Sequence, residues 1–365
     1  MFLPRALLGA ILLLSIGCTP GGTDTFVREE QPLAINFASL TGSARTDLWS
    51  IAKVNDADTV VHSKGGTRWD ALMLTEFAGL RISSIASVAK NEAWVSTTNN
   101  ISGAVGLWLV AANGGVEDHS MELPVANREQ LELVSSGGTL FALQTGTSVN
   151  PLGHMYRRTA SALEEITGLQ PAVQLTVLAA KGPNDFYFDL SPSNFGTSKI
   201  MHYLNGAATE IPWPSRNNGL PTIQISSTGE VWFWKSSGSQ DTMTGTHGDG
   251  STFTDWSSTW PALTAQQQVQ HRVAGAYASG TGKLAFLDVR TDNAIKKETE
   301  RSSLGVNHID AQGKYTEGPR LLQCISAEEC AIGQGSFVVL GDGVVLINAG
   351  GAGKIWFTGP LTSLQ

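Results

Sequence analysis

Short apolar and aromatic segments recur along this chain at a nearly constant interval. Each segment contains one anchor residue, and the anchors are Trp49, Trp94, Phe141, Tyr187, Trp232, Phe286 and Ala331. Successive anchors are 45, 47, 46, 45, 54 and 45 residues apart. Self-similarity at a period of roughly 20 to 50 residues is typical of repeat architectures, in which each repeat is one supersecondary unit. The pattern therefore divides the chain into seven units.

The units share an internal order of strands and turns. In the second unit an apolar strand at residues 82–86 precedes the polar turn Lys90-Asn91, the anchor strand and a third strand at residues 106–110. A turn rich in Asn and Gly follows at residues 113–115. Short strands joined by such turns form hairpins, and four strands in about 45 residues make one blade of a β-propeller. We predict an all-β, seven-bladed β-propeller in residues 33–365, with six or eight blades as alternatives.

One strand-like segment, at residues 32–37, precedes the first anchor and has no blade of its own. A ring of blades closes only where the first and last blades meet, and closure removes exposed sheet edges. We therefore expect this segment to complete the last blade or to pack beside it. The two ends of the folded body would then lie close together.

The first unit also carries a specific residue order. An acidic residue, a Trp, a strand ending in His and a Gly turn follow one another at Asp47, Trp49, His62 and Gly66. This order resembles the blades of secreted bacterial lipoprotein propellers related to the sialidase-like superfamily. The segment at residues 246–253 is similar to a degenerate Asp-box hairpin of that superfamily, with its aspartate one place late. The resemblance covers roughly residues 40–358 and implies the architecture, but one fold hosts many functions.

The N-terminal residues have the features of an export signal. Arg5 precedes an apolar run of 11 residues at 6–16, which is shorter than the roughly 20 residues that cross a bilayer as a helix. Residues 14–18 resemble a bacterial lipobox in which Ser15 replaces the usual leucine, and this implies that Cys18 carries the lipid. The alternative is cleavage by a different peptidase that leaves Cys18 unmodified.

These features divide the N-terminal region into two parts. Residues 1–17 are predicted to be a lipoprotein signal peptide, and residues 18–32, which contain Gly, Pro, Thr and charge, a flexible tether. Thr19 follows the lipobox cysteine in place of the aspartate that commonly retains lipoproteins in the inner membrane, so we expect an outer-membrane location. The lipid would be the protein's contact with the membrane.

Composition limits the classes of partner. With 40 Gly and 14 Pro among 365 residues, the chain can form many tight turns. The hydrophobic fraction of 41% is sufficient for a large core and excludes a disordered protein. The net charge of -8 has the wrong sign for binding a phosphate backbone, so nucleic acid is not an expected partner.

Metal and cofactor chemistry have little support in the sequence. The seven histidines include four in or near third strands, namely His62, His154, His202 and His308. No pair of them has the close spacing of a zinc site, and we expect side chains that pack within the repeat. The segment at residues 55–58 resembles the opening of a calcium loop but lacks the Gly and the closing acid, so it is predicted to be a surface turn. We predict no metal site and no cofactor.

Two cysteines remain once Cys18 is assigned to the lipid. Cys324 and Cys330 are six positions apart in a chain that carries an export signal, which favours a disulfide. The seven-unit division puts them around the turn between the first two strands of the last blade. Two buried free thiols are the alternative.

A catalytic site has ingredients but no pattern. Sialidase-type chemistry needs converging arginines and a tyrosine with a carboxylate partner. The chain contains possible members in Arg68, Arg81, Arg157, Arg158, Arg272, Arg290, Tyr156, Tyr187, Tyr203 and Tyr277. The sequence has no G-x-S-x-G motif of the kind that positions a nucleophilic serine.

The leading hypothesis is a membrane-anchored, non-catalytic binding or scaffold module of a bacterial envelope. Its protein or glycan ligand would bind across one axial face of the propeller, because loops on rigid scaffolds commonly carry function. The longest insertions, which are the best candidates for ligand contact, lie at residues 145–153, 191–198, 235–245 and 290–304. The alternative is an envelope glycosidase or lyase that uses the axial cavity.

Overall fold

The computed structural model describes most of the chain from Phe26 onward. The described residues are 26–33, 35–36, 39–65, 67–123, 130–146, 152–160, 162–191, 199–211, 222–236, 242–259, 269–279, 282–292, 294–295, 302–323, 337–340, 342–349 and 355–360. They form an all-β protein with short 3-10 turns at Thr75–Phe77 and Ser120–Glu122. Among these residues no helix has the length and apolar character needed to span a membrane.

Seven antiparallel, four-stranded sheets form a ring of blades, which confirms the predicted propeller and its blade count. Blade 1 comprises β2 (Thr41–Ala44), β3 (Asp47–Val54), β4 (Ala57–Ser63) and β5 (Trp69–Ala71). Blade 2 comprises β6 (Leu80–Ala89), β7 (Glu92–Asn99), β8 (Val105–Ala111) and β9 (Val116–Asp118). Blade 3 comprises β10 (Leu131–Ser136), β11 (Thr139–Gln144), β12 (His154–Arg158) and β13 (Leu163–Glu165).

The remaining blades continue this order. Blade 4 comprises β14 (Gln174–Gly182), β15 (Asp185–Ser191), β16 (Lys199–Leu204) and β17 (Ala207–Glu210). Blade 5 comprises β18 (Thr222–Ile225), β19 (Val231–Ser236), β20 (Thr242–Gly248) and β21 (Phe253–Thr259). Blade 6 comprises β22 (Val269–Ser279), β23 (Lys283–Asp292), β24 (Ser302–Asp310) and β25 (Tyr315–Gln323). Blade 7 comprises β26 (Phe337–Val339), β27 (Val344–Ala349), β28 (Ile355–Pro360) and the N-terminal strand β1 (Val27–Glu30).

The first strand of each blade is the innermost strand. First strands of successive blades contact one another from β2 to β6 and onward to β22. The backbone groups on the unpaired edge of each first strand need partners, and serine hydroxyls of neighbouring blades provide some of them. Ser84 Oγ accepts a hydrogen bond from Leu133 N at 2.9 Å, and Ser136 Oγ accepts one from Ala180 N at 2.9 Å. These contacts join blade 2 to blade 3 and blade 3 to blade 4.

Strand β1 closes the ring as the outermost strand of blade 7. It pairs antiparallel with β28, and Val27 lies opposite Thr358. The ring of Phe26 covers Gly359, where a Cβ atom would lie 2.8 Å from that ring. The apolar cluster between blades 7 and 1 includes Trp69 and Trp356, whose ring centroids are 5.4 Å apart. The expected closure by an N-terminal strand is therefore confirmed.

The position of that strand differs from the prediction. Residues 27–30 form a strand inside the segment 18–32 for which the sequence predicts a flexible tether, so the folded body begins earlier than residue 33. The predicted segment 32–37 contributes an isolated bridge between Ile35 and Ala52 of blade 1. The sequence Val-Arg-Glu-Glu has no apolar run, and its strand conformation is stabilised by pairing with β28 and by the Glu29–Arg45 ion pair.

The repeat register also differs in blade 7. Its second strand is β27, which contains the buried Leu346, and not the segment around Ala331. Ala331, Cys324 and Cys330 lie outside the described residues. They fall in the connection from β25 of blade 6 to β26 of blade 7, so the turn assigned to the cysteines is wrong. The disulfide itself stays a prediction.

A buried acid, histidine and aromatic ring organise blade 1. His62 Nε2 lies 3.0 Å from Asp47 Oδ1, and Trp49 Nε1 donates to the same oxygen at 3.0 Å. Burial raises the pKa of Asp47, but hydrogen bonds from Ser43, His62, the backbone of Asn91 and Trp49 together bring the pKa below its usual value. Because Asn91 belongs to the first turn of blade 2, this carboxylate also joins two blades.

Related arrangements recur in other blades. The members are Asp185, His202 and Tyr187 in blade 4, and Glu230, His247 and Trp232 in blade 5. In each blade the histidine occupies a third strand opposite the aromatic residue of the second strand. These histidines therefore pack within their own blades, as the sequence predicts for histidines of third strands.

The closing ladder generates a prediction about global stability. A chain that ends at residue 352 lacks β28, so β1 loses its partner and the contact between blades 7 and 1 is broken. We expect one cooperative thermal transition at a melting temperature lower by roughly 10 °C or more, because a loss of several kcal/mol affects the whole ring. A chain ending at Pro360, which keeps β28, is the control. Equal melting temperatures and cooperativity in the two truncations would contradict ring closure by this strand.

Asp47 generates a prediction about buried polar groups. Asp47→Ala leaves His62 and the indole N–H of Trp49 without their shared acceptor, and we expect a loss of about 3 kcal/mol in unfolding free energy. The matched variant Asp185→Ala removes a carboxylate that is 31% exposed, and should cost about 1 kcal/mol. Urea unfolding measures both losses in free energy. Equal losses would contradict the expectation that the more deeply buried carboxylate contributes more to stability.

The stability difference between the parent protein and Asp47→Ala is expected to depend on pH. The folded-state pKa of Asp47 is lowered, so its stabilising contribution is complete above the unfolded value of about 3.9 and declines as the pH falls through the folded value. The stability difference between the parent and Asp47→Ala should therefore shrink below about pH 4. A difference that stays constant down to pH 2 to 3 would show that the charge of Asp47 does not contribute.

Candidate functional site

Alternating strand direction separates the connections of the propeller into two faces. Turns between first and second strands and between third and fourth strands lie on one face, which we call the turn face. Hairpins between second and third strands, and the connections from one blade to the next, lie on the opposite face, which we call the loop face. This assignment follows from the strand order and the antiparallel pairing in every blade.

The four insertions predicted to contact a ligand all leave the ring on the loop face. They connect β11 to β12, β15 to β16, β19 to β20 and β23 to β24, the second and third strands of blades 3 to 6. Residues 147–151, 192–198, 237–241, 293 and 296–301 within them lie outside the described part of the chain. The strand ends place all four connections on the loop face, but strands occupy part of the predicted ranges. The connection of blade 5 is reduced to residues 237–241, which is no longer than residues 100–104 in blade 2, so the predicted long insertion at 235–245 is wrong.

Exposed apolar side chains have the same bias. Met73, Ile101 and Met121 are 81%, 95% and 98% exposed, and they occupy connections on the loop face of blades 1 to 3. Leu152, which is also exposed, lies on this face in blade 3, whereas the exposed Leu204 and Val27 are on the turn face. Exposed apolar side chains gathered on one surface are typical of interaction sites.

A cavity of about 540 Å³ opens on the loop face between blades 1 and 2. The connection from β5 to β6 forms one wall with Leu72, Leu74 and the buried Phe77. The hairpin from β3 to β4 forms the other wall, with Asp56 and other residues at its tip. Clefts with an apolar lining and a few polar groups are the usual form of ligand sites.

The polar groups at this cavity are few and mixed in charge. Asp56, Asp58, Arg81 and Asn100 lie in its lining, and Asp58 also pairs with Lys53 at 3.5 Å. The calcium-loop-like segment 55–58 is thus a hairpin turn, in which Asn55 and Asp56 have φ values of 52° and 64°. Within the described residues no group of three His, Cys, Asp or Glu side chains could hold a metal ion.

A second cavity, of about 490 Å³, lies on the turn face between blades 3 and 4 and contains Arg157 and Arg158 in its lining. Both arginines already have partners. Arg157 Nη1 donates to Pro183 O at 3.1 Å, while Arg158 pairs with Glu122 and lies 4.8 Å from the ring centroid of Trp94. The two guanidinium groups therefore act between blades.

The arginines considered for catalysis are distributed over the ring. Arg68, Arg157 and Arg158 lie toward the turn face, and Arg81 and Arg290 lie toward the loop face in blades 2 and 6. The side chain of Arg272 is outside the described set. The buried tyrosines are Tyr156, Tyr187 and Tyr203. The described members of the predicted sialidase-like set therefore do not converge on one point.

Sequence reasoning missed one carboxylate near the axis. Glu132 is on β10, the innermost strand of blade 3, one residue from the loop-face end. Its side chain keeps contact with solvent, yet the surrounding protein raises the pKa of its carboxyl group by burial. A carboxyl group with a raised pKa is suited to proton transfer. No sequence motif marks it.

The Asp-box-like segment forms a self-contained turn. Asp249 Oδ1 accepts hydrogen bonds from the backbone N–H groups of Ser251 and Thr252 at 2.8 and 2.9 Å. These bonds, together with those from the two hydroxyl groups, hold the pKa of Asp249 far below its usual value. The turn joins β20 to β21 on the turn face, and its carboxylate has a structural role there.

The predicted lipidation residue Cys18 lies outside the described part of the chain. Trp256 of β21 is buried, and its ring centroid is 6.0 Å from that of Trp232. It is therefore a packing residue of blade 5.

Comparisons with known proteins add a set of distant structural similarities. No family model matches the chain, and no curated protein matches it. A structure of YCF48 bound to D1 peptide has a TM-score of 0.48 and 10% identity, over 93% of this chain and 96% of that chain. An ulvan lyase of polysaccharide lyase family PL25 has a TM-score of 0.47 and 8% identity, over 93% and 94%. The six-bladed β-propeller fucose lectin of Aleuria aurantia has a TM-score of 0.40 and 9% identity, over 81% and 99%.

Proposed function

We propose that the protein is a non-catalytic binding module, held on a bacterial envelope by a lipid on Cys18, that takes a protein or glycan ligand on its loop face. The envelope part of the proposal is supported by the export signal and the lipobox-like residues 14–18. An outer-membrane location is proposed from Thr19 after the lipobox cysteine.

The observation that carries the binding proposal is the difference between the two faces. The loop face holds the longer connections of blades 3, 4 and 6 and the exposed side chains of Met73, Ile101 and Met121. The turn face consists mostly of short hairpin turns, several with Gly or Asn at positive φ. Loops that vary in length on a rigid ring provide contact area without disturbing the fold.

The cavity between blades 1 and 2 is the proposed anchor point for one part of the ligand. Its walls combine the apolar Leu72, Leu74 and Phe77 with the carboxylates of Asp56 and Asp58. An apolar group inserted there would be desolvated on more than one side, which favours it as a centre of binding energy.

The alternative is an envelope glycosidase or lyase that uses the axial cavity. The observation in its favour is Glu132, an inner-strand carboxyl whose pKa is raised by burial. A raised pKa keeps a carboxylic acid protonated at higher pH, as a general acid for glycosidic oxygen requires.

The anchor is tested by Cys18→Ala in the full-length precursor. We expect no fatty-acid labelling and no cleavage after Gly17, because the thiol that receives the lipid is gone. Metabolic labelling and intact mass of the membrane fraction measure both effects. Undiminished labelling in this variant would remove the lipoprotein proposal.

The binding face is tested with a triple variant, Met73→Glu, Ile101→Glu and Met121→Glu, in a lipid-free chain of residues 19–365. Used as bait for solubilised envelope and for a glycan array, it should retain roughly tenfold less of each ligand that the parent retains. The control Leu204→Glu changes an exposed leucine of the turn face and should retain the parent's ligands.

Two outcomes would redirect the proposal. Equal retention by the triple variant would place binding elsewhere on the ring. A retained glycan that is cleaved by the parent but intact with Glu132→Gln would support the enzymatic alternative.

A further inference from the structure

The direction of β1 determines where the N-terminal segment reaches the ring. β28 runs from the loop face to the turn face, and β1 pairs with it in the opposite direction. Val27 therefore lies at the turn face, opposite Thr358, and Glu30 lies toward the loop face, opposite Ile355. Because β1 is the outermost strand of blade 7, the preceding segment joins the rim of the turn face.

The length between Cys18 and the ring limits how the body can sit on a membrane. Seven residues lie between Cys18 and Phe26, and a fully extended chain from the one to the other spans at most about 29 Å. A seven-residue strand such as β4 has a length of about 23 Å, to which the connections of the loop face add. The segment reaches the lipid surface directly when the turn face lies on it, whereas with the loop face on the lipid it would use most of its extended length along the side of the ring.

The distribution of basic side chains favours the same orientation, with the turn face on the lipid. Exposed basic side chains extend from its turns in blades 1, 2, 4 and 6, and they are Lys64, Arg68, Lys90, Lys181 and Lys314. They stand out in a chain whose net charge is -8. Basic side chains near an anionic lipid surface contribute roughly 1 kcal/mol each.

Several acidic residues of the same face have hydrogen-bond partners within the protein. Asp47 is fully buried with His62. Asp310 accepts hydrogen bonds from the backbone of its own turn at Gln312 and Lys314. Asp249 and Asp342 are exposed at this face, and each accepts backbone hydrogen bonds within its own turn, whereas the side chains of the lysines extend from the surface.

We propose that the turn face lies against the phospholipid surface that holds the acyl chains of Cys18, with its lysines and Arg68 at the headgroup phosphates. The loop face and the cavity between blades 1 and 2 then point away from that membrane. This inference rests on the proposed lipid anchor and adds an orientation to it. A second, electrostatic contact beside the acyl chains is a common way to strengthen membrane attachment.

Lysine acylation footprinting of the mature, lipidated protein tests this orientation. The protein is compared on vesicles that contain phosphatidylglycerol and in a nonionic detergent, and each lysine's modification is read by peptide mass spectrometry. We expect Lys64, Lys90, Lys181 and Lys314 to react at least roughly threefold less on vesicles. Lys53, which is 72% exposed on the loop face, should react equally in both and is the internal control.

A charge variant separates contact from mere proximity. Lys64→Gln, Arg68→Gln and Lys90→Gln together should restore the reactivity of Lys181 and Lys314 while the protein stays vesicle-bound through its lipid. The matched change Lys53→Gln on the loop face should leave the protection of all four turn-face lysines intact. Persistent protection of Lys181 and Lys314 in the triple variant would refute the electrostatic contact.

The remaining outcomes separate this inference from the function on which it rests. Vesicle-bound protein with uniform lysine reactivity, or with Lys53 protected, would overturn the orientation and leave the anchor standing. Mature protein that carries no lipid and does not associate with vesicles would overturn both. Protection confined to the turn face, lost on charge removal, supports the proposal.

Discussion

Closure of the ring through β1 and β28 is the constraint on which the rest of the structure depends. A single blade exposes two apolar faces, and these are covered only when every blade has a neighbour on both sides. The residues that meet at the closure are far apart in sequence, as in the bond from Thr358 to Glu29 across 329 positions. Such a contact has a large loop-closure cost. The apolar contact of Trp69 with Trp356 and the covering of Gly359 by Phe26 offset this cost locally.

The repeat period was sufficient to predict the fold because the blades reuse one packing solution. An aromatic residue of the second strand faces the third strand, and in blade 1 Trp49 and His62 are both anchored on Asp47. The prediction failed where that solution is replaced. Blade 7 uses an aliphatic second strand with Leu346, so the regular spacing was extended to the wrong segment. Strand β1 was missed because its charged sequence becomes a strand through a partner at the other end of the chain.

The candidate site shows the same division between local and non-local information. Loop insertions are visible in sequence, and the antiparallel order of each blade puts them on one face. The cavity between blades 1 and 2 has no comparable signature, because its walls come from a hairpin tip at Asp56 and from the connection that contains Phe77. Glu132 is similar, because the raised pKa of its carboxyl group comes from burial in the folded protein, which no sequence motif records.

Topology links closure to the separation of the two faces. In a blade whose outermost strand is the fourth, that strand runs from the turn face to the loop face, because three antiparallel reversals precede it. When the N-terminal segment supplies this strand, residues before it must start on the turn face, and residues after it must continue on the loop face into blade 1. A lipid on Cys18, as proposed, would therefore be joined to the face opposite the long loops by the same ladder that closes the ring. Stability and the presentation of a binding surface would then have one structural origin, and a change that opened the ladder would impair both.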